Sequence, residues 1–258
     1  MIVFVHVPKT AGTTFRFVLE NTFGIHHCHA THNHKDLFEQ TDLDFAQGFF
    51  PGLRSIAGHN LVDPPRLAFP DPFFITLLRD PVSRVISHYQ DSVERAGSRK
   101  TFEETLAERG KLENLAVKII AGSRDLDKAK RFLEGCGMVG FTEEFDRSLH
   151  VLDRLCPAKL NLNYRRGRIA KKNTVRDSIK SNPRLLDIAR EYNQLDLELY
   201  SFARNEVFPQ LCAKAGVDPA GPVSSFESRD GGKLHTYTMG RMYNQLFRQL
   251  CKLRGKSK

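Results

Sequence analysis

The sequence predicts an α/β fold, a parallel sheet flanked by helices on both faces. Two observations carry that prediction. Short apolar runs at residues 2–7, 73–78 and 137–141 suit strands buried on both sides. Segments with helical apolar spacing separate them, and such alternation places helices over a parallel sheet.

Residues 2–7 (IVFVHV) are β-branched and aromatic and predict the first strand. Pro8–Gly12 breaks it. From Thr13 the apolar positions Phe15, Val18, Leu19 and Phe23 recur at helical spacing, and Gly24 stops that helix. Residues 25–72 are rich in His, Pro, Gly and Asp and predict mostly loop with short elements. FFITLL at 73–78 predicts a second buried strand. Asp80 and Pro81 then supply a cap and a first helical residue, opening a helix to about residue 95. Helical patterns follow at 101–108, 112–121 and 125–134. GMVGF at 137–141 predicts a third strand, and a helix spans about 142–155. The basic, polar stretch 164–180 reads as loop. Pro183 opens one long helix to about 214. The expectation is one domain over 1–258, with a motif-bearing core at about 2–210 and a helical tail at about 217–258.

With 258 residues the chain can bury a full core without disulfides. An apolar content of 40% excludes a disordered chain. Thirty-nine lysines and arginines against 30 acidic residues give a formal charge of +9, which favours anionic partners. The five cysteines contain no C-x-x-C pair, and an odd number fits a reducing compartment. The opening MIVFVHVPKT has no basic region and no small-residue cleavage site, and no apolar run approaches the length of a membrane span. The expected location is cytoplasmic. Oligomeric state is not readable.

The strand–loop–helix unit at 2–23 is the most informative stretch. A helix N-terminus offers unpaired amides and a positive dipole end, so it binds phosphate-like anions. Gly12 lets backbone approach a ligand. Thr10, Thr13 and Thr14 offer hydroxyls, and Lys9 adds a full charge. The ATP-binding P-loop, G-x-x-x-x-G-K-[ST], is the obvious comparison. Here Lys9 precedes Gly12 instead of following it. At the end of the second strand Arg79 stands where ATP-using proteins place a magnesium carboxylate. Arg79 and Ser87 form a candidate anion clamp, with Ser83 and Ser87 on one helix face.

HVPKTAGTT resembles the 5′-phosphosulfate loop of carbohydrate sulfotransferases that use 3′-phosphoadenosine-5′-phosphosulfate (PAPS), most closely the heparan sulfate and uronyl 2-O-sulfotransferases. The resemblance implies a P-loop-like fold and sulfuryl transfer from PAPS to a hydroxyl of a carbohydrate or other alcohol. Lys9, Thr10, Ala11, Gly12, Thr13 and Thr14 would embrace the 5′-phosphosulfate. Lys9 would also stabilise charge on the departing bridging oxygen. RDPVSRVIS resembles the family's 3′-phosphate site, which assigns that group to Arg79 and Ser87. IAGHNLVDPP is similar to the family's G-H-x-x-[YF] segment, so the catalytic base falls on His59, with Val62 in place of the aromatic residue. Histidine suits the task because its ordinary pKa lies near neutrality. His6 occupies the place of a substrate-contacting Arg in the relatives and is the rival base. Lys172, Asn173 and Thr174 match a late loop that closes over the donor's adenosine. Arg95 is a candidate contact to an acidic acceptor. KTFEETLAERG, MVGFTEEFDRSL and the helix at 183–208 extend the resemblance to about residue 210.

The histidines and cysteine of HHCHATHNH (26–34) match no standard zinc spacing, and the family's reaction needs no metal, so none is expected. His88 reads as a packing or surface residue. Two rival functions remain. A small-molecule kinase would need Lys after the second Gly and a magnesium carboxylate. A non-catalytic basic protein would bind nucleic acid or glycan with steep salt dependence. Neither a nucleic-acid partner nor a membrane span is expected.

Overall fold

The computed structural model describes residues 1–30, 37–108, 112–165, 173–228 and 235–256. Strands β1 (Ile2–Val5), β2 (His27–His29), β3 (Ser55–Gly58), β4 (Phe73–Leu78) and β5 (Met138–Phe141) form one sheet in the order β2-β3-β1-β4-β5. Every pairing is parallel, with Val3 opposite both Ile56 and Phe74, and Thr76 opposite Val139. Parallel strands place all their C-terminal loops along one edge. Ligands of such sheets bind outside those ends.

The helices are α1 (Gly12–Phe23), α2 (Gln40–Phe49), α3 (Pro81–Ala96), α4 (Phe102–Ala107), α5 (Leu115–Ala121), α6 (Leu126–Glu134), α7 (Phe145–Leu155), α8 (Thr174–Lys180), α9 (Pro183–Glu191), α10 (Gln194–Phe202), α11 (Phe208–Ala215) and α12 (His235–Lys256). One face of the sheet packs Phe4 and Ile75 against Phe15 and Val18 of α1 and Val117 of α5. The other packs Val3, Cys28 and Ile56 against Leu43 of α2 and Phe247 of α12. The runs at 2–7, 73–78 and 137–141 therefore form strands because both their faces are covered.

The short elements expected within 25–72 are β2, α2 and β3. β2 is hard to see in sequence because it is His-Cys-His. Its sheet-edge backbone is held by the side chain of Asn244 in α12, which accepts from His29 N at 2.7 Å and donates to His27 O at 2.8 Å. Two expectations about elements are corrected. The basic stretch 164–180 ends in helix α8, which buries Ile179. The long helix from Pro183 is broken once. Asn193 sits in the break, where its amide donates to Ala189 O and accepts from the buried Arg84. From Gln194 the chain stays helical to Ala215, widening to a π-helical stretch at Ala203–Val207 just before Pro209, which lacks an amide hydrogen. Asp196 explains the position of α10: its carboxylate accepts from the amides of Ala116 and Val117 at the start of α5 and lies 3.4 Å from Arg84.

Candidate active site

The ends of β1, β3, β4 and β5 open into one cleft of about 1120 Å³. Lys9, Ala11, Gly12, Thr13 and Thr14 line it from the loop after β1, and His6 from the strand's end. His59 enters after β3, and Arg79 after β4, with Ser83 and Ser87 on α3. Arg95 lies farther along α3, and Asn173 stands just before α8.

The loop is built by two left-handed residues, Lys9 at φ 70° and Ala11 at φ 61°. For non-glycine residues that conformation costs roughly 1–2 kcal/mol each. Alternating hands turn successive amides toward one side, which makes an anion-binding concavity. The Thr10 hydroxyl is turned inward, donating to Val7 O at 2.8 Å in a fully buried position. This corrects the reading of Thr10 as a hydroxyl donor to the ligand; its side chain secures the loop. Arg79 donates through Nη1 to Lys9 O at 3.2 Å, so the end of β4 braces the loop of β1. Lys9 Nζ lies 3.4 Å from Asp91, which also pairs with Arg95 at 3.1 Å.

Gly12 is required by close approach. A Cβ there would fall inside the His6 imidazole. That ring stacks on Phe4 and lies 3.8 Å, centroid to centroid, from the ring of His59. His59 Nδ1 is 2.8 Å from His6 O. A carbonyl can only accept, so Nδ1 carries the hydrogen and the neutral ring keeps its lone pair at Nε2.

Burial pulls the Arg79 guanidinium below its ordinary value; Glu143 and Asp80 oppose this and Arg176 adds to it. Arg176 thus bears on the same site, and both it and Lys180 line the cleft from α8. Sequence reasoning missed them. The usable signal was the spacing of Asn173, Arg176 and Lys180, three and seven residues apart, which aligns them once 174–180 is helical. Thr174 is exposed at the start of α8 and does not line the cleft; Lys172 lies outside the described residues. Asp80 caps α3, accepting from Ser83 N at 2.7 Å. His88, expected to pack or face solvent, lines the cleft. Burial lowers its pKa, helped by the charges of Arg84 and Lys9.

The described part of the histidine-rich segment does not reach this cleft. His27 and His29 are buried on β2 beside Glu20, with His29 Nε2 2.6 Å from the carboxylate. His27 Nδ1 is 2.7 Å from Ser55 Oγ. Such a triad has the donor types of a metal site. Arg16 pairs with Glu20 at 3.0 Å, and Arg241 and Arg248 add positive charge nearby. His27 Nε2 is buried without a hydrogen-bond partner.

Residues 1–205 match the sulfotransferase family, and the chain belongs to it. Sulfuryl transfer is accordingly its class of reaction. It is 25% identical over 250 residues to human heparan sulfate 2-O-sulfotransferase 1, covering 79% of this chain and 69% of that one. The Xenopus laevis enzyme of the same name is 24% identical over the same shares. A heparan sulfate 2-O-sulfotransferase of Caenorhabditis elegans is 26% identical over 133 residues, 43% of this chain and 41% of its own length. Among the described residues, no helix is long and apolar enough to cross a membrane.

Proposed function

We propose that the cleft carries out PAPS-dependent O-sulfation with His59 as general base. PAPS supplies the sulfuryl group. The acceptor oxygen attacks sulfur as the bond to the bridging oxygen breaks, and that oxygen keeps the electron pair. His59 takes the acceptor's proton at Nε2. Lys9 sets its charge where the bridging oxygen becomes negative. The amides and hydroxyls from Ala11 to Thr14 hold the 5′-phosphosulfate. Arg79 and Ser87, joined by Arg176, hold the 3′-phosphate, and Asn173 borders the adenosine.

The observation that carries this reading is the convergence of three strand ends, which brings Lys9, His59 and Arg79 into one cleft. The relatives' names point to a 2-hydroxyl of a heparan sulfate-like chain as acceptor. Arg95 is the cation placed to meet its carboxylates. The test is a calorimetric comparison of adenosine 3′,5′-bisphosphate with ADP and ATP, run beside sulfate transfer from PAPS to desulfated heparan chains. Tighter binding of the bisphosphate without magnesium, together with transfer, supports the assignment. Equal affinity for ADP, or a magnesium requirement for binding, overturns it in favour of a kinase.

A further inference from the structure

Helix α12 has two apolar sides, and among the described residues only one is covered. Its inner side packs the buried Phe247 against Phe45, Phe49 and Phe50 and ties Asn244 to the edge strand. Its outer side presents Met239, Met242, Leu246 and Leu253, which are 54%, 65%, 49% and 63% exposed. At about 100° per residue these four fall within about 60° of one another, a continuous stripe along the helix. Only Leu37 and Val223 are comparably exposed large apolar residues elsewhere in the described structure.

The charges on this helix are of one sign. Arg241, Arg248, Lys252, Arg254 and Lys256 fall within it, and His235–Lys256 contains neither Asp nor Glu. Arg241 and Lys252 fall on one flank of the stripe by the same helical geometry. Arg254 is held over the ring of Phe45, 4.1 Å from its centroid.

We propose that α12 is an interfacial helix whose outer stripe enters the surface of an anionic lipid bilayer while its inner face stays on the sheet edge. An apolar stripe whose only charged neighbours along the helix are cations matches the boundary between acyl chains and anionic headgroups. A second copy of this chain fits less well, because a symmetric contact would set two all-cationic helices against each other. The helix is too polar to span a bilayer, so it lies in the surface plane. This proposal goes beyond the sulfuryl-transfer reading and does not depend on it.

The experiment is flotation of the full chain with phosphatidylcholine vesicles and with vesicles of phosphatidylcholine mixed with phosphatidylglycerol. The expected result is binding to the mixed vesicles, weakened by salt, and little binding to phosphatidylcholine alone. Met242→Gln with Leu246→Gln removes two solvent-facing apolar groups. It should lower partition about tenfold or more while leaving the circular dichroism spectrum and sulfate transfer to a soluble acceptor unchanged. Arg241→Gln with Lys252→Gln should weaken binding and flatten its salt dependence. The proposal is overturned if the chain ignores anionic vesicles, or if the Met242/Leu246 variant binds them as well as the parent. It is also overturned if light scattering finds a dimer that this variant dissociates while vesicle binding is absent, which would assign the stripe to a second copy.

Discussion

His59 and His6 form one unit between the ends of β3 and β1: their rings lie 3.8 Å apart, and His59 Nδ1–H donates to the His6 carbonyl at 2.8 Å. The backbone of His6 therefore sets the tautomer of His59, while the His6 side chain sets its packing. The two contributions separate by mutation. His59→Ala should lower turnover by roughly 100- to 10,000-fold, the usual contribution of a general base. Affinity for adenosine 3′,5′-bisphosphate should barely change, since a base touches the acceptor. His6→Ala retains the carbonyl and should chiefly raise the acceptor's KM. An inactive His6→Ala beside an active His59→Ala would move the base to His6. If both variants stay active, His88 is the next residue to replace.

Gly12 and His6 are coupled by space. Gly12→Ala places a methyl group where the His6 ring sits, so either the ring or the donor loop must shift. Overpacking of this kind typically costs about 1–3 kcal/mol, and here the displaced group adjoins the base. Sulfate transfer by Gly12→Ala should fall strongly. Adding His6→Ala empties the contested space and should restore part of the lost donor affinity. The four affinities of this double-mutant cycle, measured by calorimetry, give the coupling. Additive losses would show that the two side chains do not compete.

The same relationships explain what could be read in the sequence. β1, β4 and β5 were legible because each is covered on both faces and written as an unbroken apolar run. Lys9, Gly12 and Arg79 were legible because a strand-to-helix turn that binds an anion draws on few residue types. β2 was not, because His-Cys-His becomes a strand only through the distant Asn244. Arg176 was hidden by a helix that reads as a basic loop until the burial of Ile179 is known. The Thr10 hydroxyl was assigned to the ligand because composition reveals a hydroxyl but not its direction. The break at Asn193 depends on Arg84, 109 positions earlier in the chain.

Arg79 and Arg176 share one site but not one role. Arg79 also braces Lys9 O, whereas among the described residues Arg176 pairs with its neighbour Asp177 at the surface of α8. Arg176→Ala should therefore weaken adenosine 3′,5′-bisphosphate by about tenfold or more, the loss of a charge-assisted contact worth about 1.5–3 kcal/mol. ADP, lacking the 3′-phosphate, should bind the variant and the parent alike. Arg79→Ala should weaken both nucleotides, because it also releases the loop. Calorimetric titration of the two variants with the two nucleotides checks the pattern. A loss of ADP affinity in Arg176→Ala equal to its bisphosphate loss would remove Arg176 from the 3′-phosphate site.

The buried histidines of β2 set the response to acid. Burial holds the His27 imidazole well below its ordinary 6.5, and the charges of His29 and Arg16 push the same way. His29 is also lowered by burial, against the pull of Glu20. Both are neutral in the fold at neutral pH. As pH falls below about 6.5 the unfolded chain binds protons that the folded chain refuses. Stability should therefore be level above that pH and decline beneath it, until each histidine's folded pKa is reached. The slope is about 1.4 kcal/mol per pH unit for each proton taken up only by the unfolded state. Denaturant melts recorded between neutrality and pH 5 measure it. His27→Leu leaves Ser55 Oγ without its imidazole partner, so it should lower stability at neutral pH. Its loss of stability between neutrality and pH 5 should nevertheless be smaller than the parent's, because one proton-binding difference is gone. An unchanged slope would mean that His27 is protonated in the fold, and would exclude it as a source of acid sensitivity.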